Sequence, residues 1–241
     1  MSRTNLSVNI NKVALIRNSR GNNIPDLIKF ALDCEEYGAD GITVHPRPDQ
    51  RHVRYDDIPL LKKSIKTELN IEGYPSDDFI QLVLVNKPAQ VTLVPDPPGV
   101  LTSNEGWKIK ENQKHLSEII NIFHENEIRV SLFIEPNSES VIEAKSVNAD
   151  RVELYTGHFA HDFNMNKEEA IKEYIIAASK CDELNIGLNA GHDLNLDNLN
   201  YFRSNIYNLL EVSIGHALIS DALYWGIKNT IQMYKNKLKI T

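Results

Sequence analysis

Short apolar runs alternate with longer amphipathic ones along the whole chain. LSVNI (6–10), GITVH (41–45), NIEGY (70–74), QVTLVP (90–95), RVSLFIEP (129–136), DRVELYTG (150–157), IGLNAGH (186–192) and LLEVSIGH (209–216) are strand-like. Their apolar and β-branched content suits strands buried on both faces. Helical spacing predicts helices over 24–38, around 58–65, 76–88, 112–127, 138–149, 167–185, near 196–205, and one long final helix over about 218–238. Pro25 suits a first turn and Gly38 a C-terminal stop, while Ser76 can cap a helix whose first turn carries Asp77 and Asp78. Residues 96–107 read as irregular.

These segments make eight strand–helix units, with no linker or low-complexity stretch between them. Eight units in 241 residues fit a closed parallel (β/α)8 TIM barrel better than an open doubly wound sheet. The expectation is one barrel domain over residues 1–241.

Composition narrows the function. No apolar stretch approaches the ~18–20 residues of a membrane span, and the N-terminus lacks the apolar core of a signal peptide. Cys34 and Cys181 sit in helix-like segments without metal-ligand spacing. A cytoplasmic protein with reduced thiols is expected. With 33 acidic against 26 basic side chains, a broad nucleic-acid surface is excluded. An anionic ligand must be held by a local cluster, and HPRPDQRH (45–52) is one.

Chemistry in such a barrel gathers at the C-terminal ends of the strands. Those ends read Asn9, His45, Glu72, Thr92, Glu135, Glu153, His192 and His216. Six histidines (45, 52, 158, 161, 192 and 216) fall at strand ends or in the following loops, whereas His115 and His124 fall in a helix and are read as solvated. Glu72 and Glu153 are acids in buried β contexts, where an isolated charge costs several kcal/mol. Either could also be a satisfied structural acid. Arg17 and Arg20 after strand one, Arg47 and His52 after strand two, and the glycine turns NAGHD (189–193) and SIGHALIS (213–220) are candidate phosphate holders. No HxH or HExxH spacing appears and the arginines would repel a cation, so no metal is expected.

Taken together, SVNINKVALIRNSRG, ADGITVHPRPDQRH, NIEGY, VTLVP followed by LTSN, VSLFIEP, VELYTG, NAGHDL and IGHALIS resemble the pyridoxine 5′-phosphate synthase family over nearly the whole length. The resemblance implies a (β/α)8 barrel with extra helices, assembled as a homo-octamer. It implies a transferase of vitamin B6 (pyridoxine) biosynthesis that takes small phosphorylated substrates and needs no metal or organic cofactor. That enzyme condenses 3-amino-2-oxopropyl phosphate with 1-deoxy-D-xylulose 5-phosphate to pyridoxine 5′-phosphate, phosphate and water. Carried over residue by residue, His45 is a general base, Glu72 a second acid/base, His192 a proton donor, and Glu153 a stabiliser of a cationic intermediate. Asn9 and Arg20 hold the amino-ketone phosphate; Arg47, His52, Thr102 and the Gly215–His216 turn hold the sugar phosphate. The irregular stretch containing Thr102 is the candidate lid, and Arg51 is left to a surface or supporting salt bridge.

Two departures stand out. After Asn9 many members carry an Asp-His pair, where this chain has Asn11-Lys12, both retained as substrate contacts. After the catalytic histidine many carry Gly, where this chain has Asp193, whose backbone amide can still make the contact and whose carboxylate could pair with Lys12. Two rival readings are another phosphosugar aldolase or isomerase on the same barrel, and a barrel that only binds phosphometabolites. A Schiff-base aldolase needs an interior strand-end lysine, and only Lys12 comes near one.

Overall fold

The computed structural model describes residues 3–96 and 105–239. In chain order the elements are β1 (Asn5–Asn9), α1 (Asn11–Asn18), α2 (Leu27–Glu36), β2 (Gly41–Val44), α3 (Asp57–Ser64), β3 (Glu68–Gly73), α4 (Asp77–Asn86), β4 (Gln90–Leu93), α5 (Ile109–Glu125), β5 (Arg129–Ile134), α6 (Ser138–Ser146), β6 (Arg151–Tyr155), α7 (Gly157–Ala170), α8 (Lys172–Glu183), β7 (Gly187–Gly191), α9 (Leu199–Asn205), β8 (Leu209–Ile214), α10 (His216–Trp225) and α11 (Ile227–Lys237). Each strand pairs in parallel with the next, and β8 closes onto β1. This is the (β/α)8 barrel that the pattern predicts, with helices beyond the basic eight.

Local chemistry sets the helix boundaries. Asp26 caps α2 by accepting from Lys29 N at 3.0 Å, so Pro25 lies before the helix rather than in its first turn. Ser76 caps α4 through Phe79 N, and Asn137 caps α6 through Ser140 N at 2.8 Å.

Three features escape the periodicity. Helix α1 follows β1 at once without a side-chain cap, and only Val13, Ala14 and Arg17 are buried along it. Helix α7 buries only Gly157 and Phe159, and its many Asn, Asp and His residues are weak helix formers. It is held by packing: Phe159 meets the rings of Phe163, Tyr174 and Phe202 at centroid distances of 5.1–5.8 Å. The long final helix is two, broken at Gly226, whose φ of 73° is left-handed.

The strands are not continuously apolar. Their alternate residues Leu6, Val8, Ile42, Ile71, Val91, Leu132, Val152, Leu154 and Val212 are fully buried and belong to one large core cluster shared with the helices. Most of the intervening residues are polar and face the barrel axis, where several bond across it; Phe133 on β5 is an apolar exception. Arg129 on β5 meets Glu68 on β3, and Ser213 on β8 reaches Glu72 on β3 at 3.4 Å, yet neither strand pair is adjacent. Ser7, Thr43, Asn70 and Thr92 form a hydrogen-bonded belt between these levels. Interiors of this fold are usually filled by branched apolar side chains; this one is a polar column.

Candidate active site

Glu72 sits at the top of the column. Its Oε2 accepts from Asn9 Nδ2 at 3.4 Å and lies 4.0 Å from His45 Nδ1, while its Oε1 accepts from Ser213. Four strands, β1, β2, β3 and β8, thus converge on one carboxyl group. Asn9 Oδ1 accepts from Asn11 N, and Asn11 Oδ1 in turn accepts from His45 N at 2.9 Å. Asn11 therefore ties the start of α1 to the tip of β2, and a ligand can reach only its remaining amide N–H groups. Lys12 next to it is exposed.

Burial decides the protonation states. Desolvation raises Glu72 to about 8, with the Glu211 and Asp96 carboxylates adding to the rise and Ser213 and Arg47 opposing it. Desolvation also holds Glu153 well above the usual carboxylate range, reinforced by Glu72 and Glu211; its Oε2 is buried without a hydrogen-bond partner. Burial, with Arg47, His52 and Arg51 nearby, pushes the His45 imidazole well below its ordinary value. The 4.0 Å contact is therefore no ion pair at pH 7, because a neutral imidazole faces a neutral carboxylic acid.

A stability profile follows. Near pH 4 and below, Glu72 and Glu211 are protonated in folded and unfolded chains alike. Between the ordinary value of 4.5 and about 7 for Glu211 or about 8 for Glu72, the unfolded chain has released protons that the folded chain retains. Stability therefore falls as pH rises through that window. Thermal melts should give a lower Tm at pH 8 than at pH 6, with the slope flattened in Glu72→Gln.

The loop after β2 is more tightly built than its composition suggests. Arg47 is 7% exposed, and its Nη2 lies 3.2 Å from Asp96 Oδ2. The His52 ring stands edge-on to His45 at 6.3 Å, and desolvation with Arg47 and Arg51 lowers its pKa to about 4. Arg51 pairs with Asp49 at 3.2 Å. Arg17, expected among the phosphate holders, is not one: it is buried in a two-pronged pair with Asp57 at 2.7 and 2.9 Å and donates to the His52 carbonyl. Arg20 is exposed and makes no ion pair among the described residues. Thr102 lies outside the described residues, as does the middle of the expected lid. Gly106 and Trp107, beyond that segment, are fixed to the barrel by bonds to Glu135 Oε1, the Phe133 carbonyl and the Leu93 carbonyl.

On the far side, His192 follows β7 with φ 84° and Asp193 has φ 58°. A left-handed backbone there accounts for the glycine common after the histidine, and Asp tolerates that region better than most residues. Asp193 Oδ2 lies 3.0 Å from His192 Nδ1, and this hydrogen bond lowers its pKa. Its partner is therefore not Lys12, which makes no ion pair among the described residues; the expected pairing is corrected. Tyr155 presents its ring between His192 and His158, at 5.2 and 5.1 Å. His158 and His161 lie on α7 rather than in a loop, and His124 is not merely solvated, since its Nε2 meets Asp150 at 2.8 Å. Gly215 precedes α10 and packs on Asn9, while His216 opens that helix and is exposed.

Gly191 makes room for Glu153, since a Cβ there would stand 2.2 Å from Glu153 Oε1. Gly191→Ala should cost about 1–3 kcal/mol by overpacking and displace the carboxyl. Denaturant melts and turnover, measured together, check both effects.

Sequence reasoning missed Asp96, Ser213, Glu211 and the Arg129–Glu68 pair. The signal was the polar residue at every second strand position, visible in RVSLFI, RVELY and LLEVSI. The larger cavity, about 580 Å³, opens to one side between the end of β5 and α7; a smaller one of about 110 Å³ touches His45 and Arg47. The buried imidazoles and carboxyls gather along the axis rather than at the larger side cavity. Among the described residues no three His, Cys, Asp or Glu side chains are placed to hold a metal ion, and no helix is long and apolar enough to cross a membrane.

Comparison with known proteins agrees with this geometry. The fold resembles tryptophan synthase from M. tuberculosis (TM-score 0.67, 13% identity, 99% of this chain and 94% of that one). It also resembles phosphoribosylanthranilate isomerase from Thermotoga maritima (TM-score 0.60, 13% identity, 98% of each). At those identities the likeness is one of fold alone. Much nearer in sequence are pyridoxine 5′-phosphate synthases: 59% identity over 98% of this chain and 99% of the protein from Cytophaga hutchinsonii, and 54% over 98% of this chain and all of the protein from Flavobacterium johnsoniae. The family described as pyridoxal phosphate biosynthesis protein PdxJ matches residues 6–240. The chain belongs to that family.

Proposed function

We propose that the protein is a pyridoxine 5′-phosphate synthase, condensing 3-amino-2-oxopropyl phosphate with 1-deoxy-D-xylulose 5-phosphate by general acid/base catalysis. The observation that carries the mechanism is the neutral His45–Glu72 pair under the barrel mouth. Imine formation between the amine of one substrate and the ketone of the other expels water, so the departing oxygen needs a proton. A protonated Glu72 can supply it, while neutral His45 accepts a proton from the amine or an adjacent carbon. The iminium then places positive charge above Glu72 and Glu153. That charge favours their ionised forms, and Glu153 becomes its counter-charge in a low-dielectric interior. His192, hydrogen-bonded to Asp193, is assigned proton donation to a leaving group on the opposite side.

Phosphate positions follow from charge. Arg47 and His52, with Thr102, are assigned to the sugar phosphate, together with the amides of the Gly215–His216 turn at the start of α10, where the helix dipole favours an anion. Asn9 and Arg20 are assigned to the amino-ketone phosphate, Asn11 and Lys12 to the sugar phosphate substrate, and the Asp193 backbone amide to the turn beside His192. Atom balance requires one phosphate and two waters to leave per pyridoxine 5′-phosphate formed, and no redox partner.

A cytoplasmic homo-octamer is part of the same reading. The consecutive residues Leu223, Tyr224 and Trp225 at the end of α10, each more than half exposed, form an apolar patch that supports self-association. The functional test is to mix purified protein with both phosphates and follow product by absorbance and mass spectrometry. Product is expected only when both substrates are present. Binding of either phosphate without product would favour the phosphometabolite-binding reading instead.

A further inference from the structure

We propose that Glu211, on the floor of the polar column, is a positioning residue for the reaction: it sets how much negative charge Glu72 and Glu153 can carry above it. This rests on the acid/base reading of those two residues. Glu211 and Ser213 are alternate residues of β8 and so share the inward face; Ser213 donates to Glu72. Glu211 Oε1 accepts from Asn189 Nδ2 at 3.5 Å. The same Asn189 accepts from Arg151 Nη1 at 3.2 Å and is the cross-strand register partner of Glu153. Arg151 lies two residues before Glu153 on β6, one inward-facing level below it.

The charges in this column do not balance. Glu68 is taken up by Arg129. Asp40, at the entry to β2, is taken up by Arg3 and Lys235, and Arg47 by Asp96. Arg151 remains as a cation acting on Glu211 at the floor, and it makes no ion pair within 4.0 Å among the described residues; Arg47 is the cation that acts on Glu72, and Glu153 has none among the described residues. Their polar neighbours Asn9, Ser213, Thr92 and Asn189 are neutral, as is the buried His45 imidazole. Three carboxyls that raise one another in this way cannot all be ionised in a closed interior. Ionisation at the floor therefore opposes ionisation at the mouth, and the iminium formed above shifts that distribution upward.

The test uses the full-length protein and two readouts. In Glu211→Gln, which keeps the Asn189 hydrogen bond and removes the charge, Glu72 should lose its proton at a pH lower by about half a unit or more. The infrared band of protonated carboxyl groups, assigned with Glu72→Gln, reads this without turnover, and the falling limb of the kcat/KM–pH profile, set by loss of the proton that Glu72 donates, should move the same way. Glu211→Asp, which keeps the charge, should leave both near wild type. Superimposable titrations for wild type and Glu211→Gln would overturn the proposal. A shifted infrared titration in a protein that forms no product would support the coupling and defeat the synthase reading.

Discussion

Glu72→Gln lowers kcat by on the order of 10²–10⁴-fold while leaving substrate binding nearly intact. The magnitude is that of a positioned acid/base group, and the geometry makes substitution by other groups difficult. Glu72 is reached from four strands, and His45 Nδ1 stands 4.0 Å from it. A glutamine keeps the size of the side chain; its Oε1 can accept from Asn9 while its Nε2 donates to Ser213 Oγ, so the column stays packed. It can neither give up nor take a proton. The loss should therefore appear in kcat rather than in KM, and thermal stability near pH 8 should rise rather than fall, because a carboxyl group that resists ionisation has been removed. Loss of activity together with a collapse in Tm would instead mark Glu72 as structural.

The second large effect is on stability. Arg17→Ala should destabilise the fold by about 3–5 kcal/mol, the usual result of stripping one partner from a buried ion pair. For a chain of this size that corresponds to a fall in Tm of roughly 6–20 °C. Asp57 would keep Arg54 N as a donor but lose both prongs of the guanidinium, and the His52 carbonyl would lose its bond to Arg17. The loop from Arg47 to Asp57 would loosen, and with it the placement of Arg47 and His52. In the activity assay the variant should show a raised KM for the sugar phosphate at temperatures where it remains folded.

The barrel was legible because a β/α alternation repeated eight times leaves few architectures open. Strand ends located the chemistry because loops of this fold meet at one mouth. Less legible was anything dependent on packing. The periodicity of α7 is weak, and an aromatic cluster holds it in place. Gly226 divides the final helix although the apolar pattern runs straight through it. Arg17 reads like Arg20 in LIRNSRG, and only the position of Asp57, 40 residues on, separates a buried structural arginine from an exposed one. Asp193 and Lys12 are complementary in charge, yet the left-handed turn at 192–193 directs Asp193 to its neighbour instead. The polar barrel interior was written in the sequence as alternate residues but masked by the apolar ones between them. In the candidate site, His45, Glu72, Asn9 and Gly215 are brought together as the strand ends imply, and Glu153 and His192 border the same axis. Asp96, Ser213 and Glu211 needed the register.

The central claim is that this polar column performs acid/base chemistry on two phosphorylated substrates, and one rapid-mixing comparison tests it most directly. Wild type and Glu72→Gln, each saturated with 3-amino-2-oxopropyl phosphate and 1-deoxy-D-xylulose 5-phosphate, are followed for pyridoxine 5′-phosphate in a single turnover. The account predicts product in the wild type and at least a roughly 100-fold slower rate in the variant, with both substrates still bound. Product forming in Glu72→Gln within about threefold of the wild-type rate would contradict it.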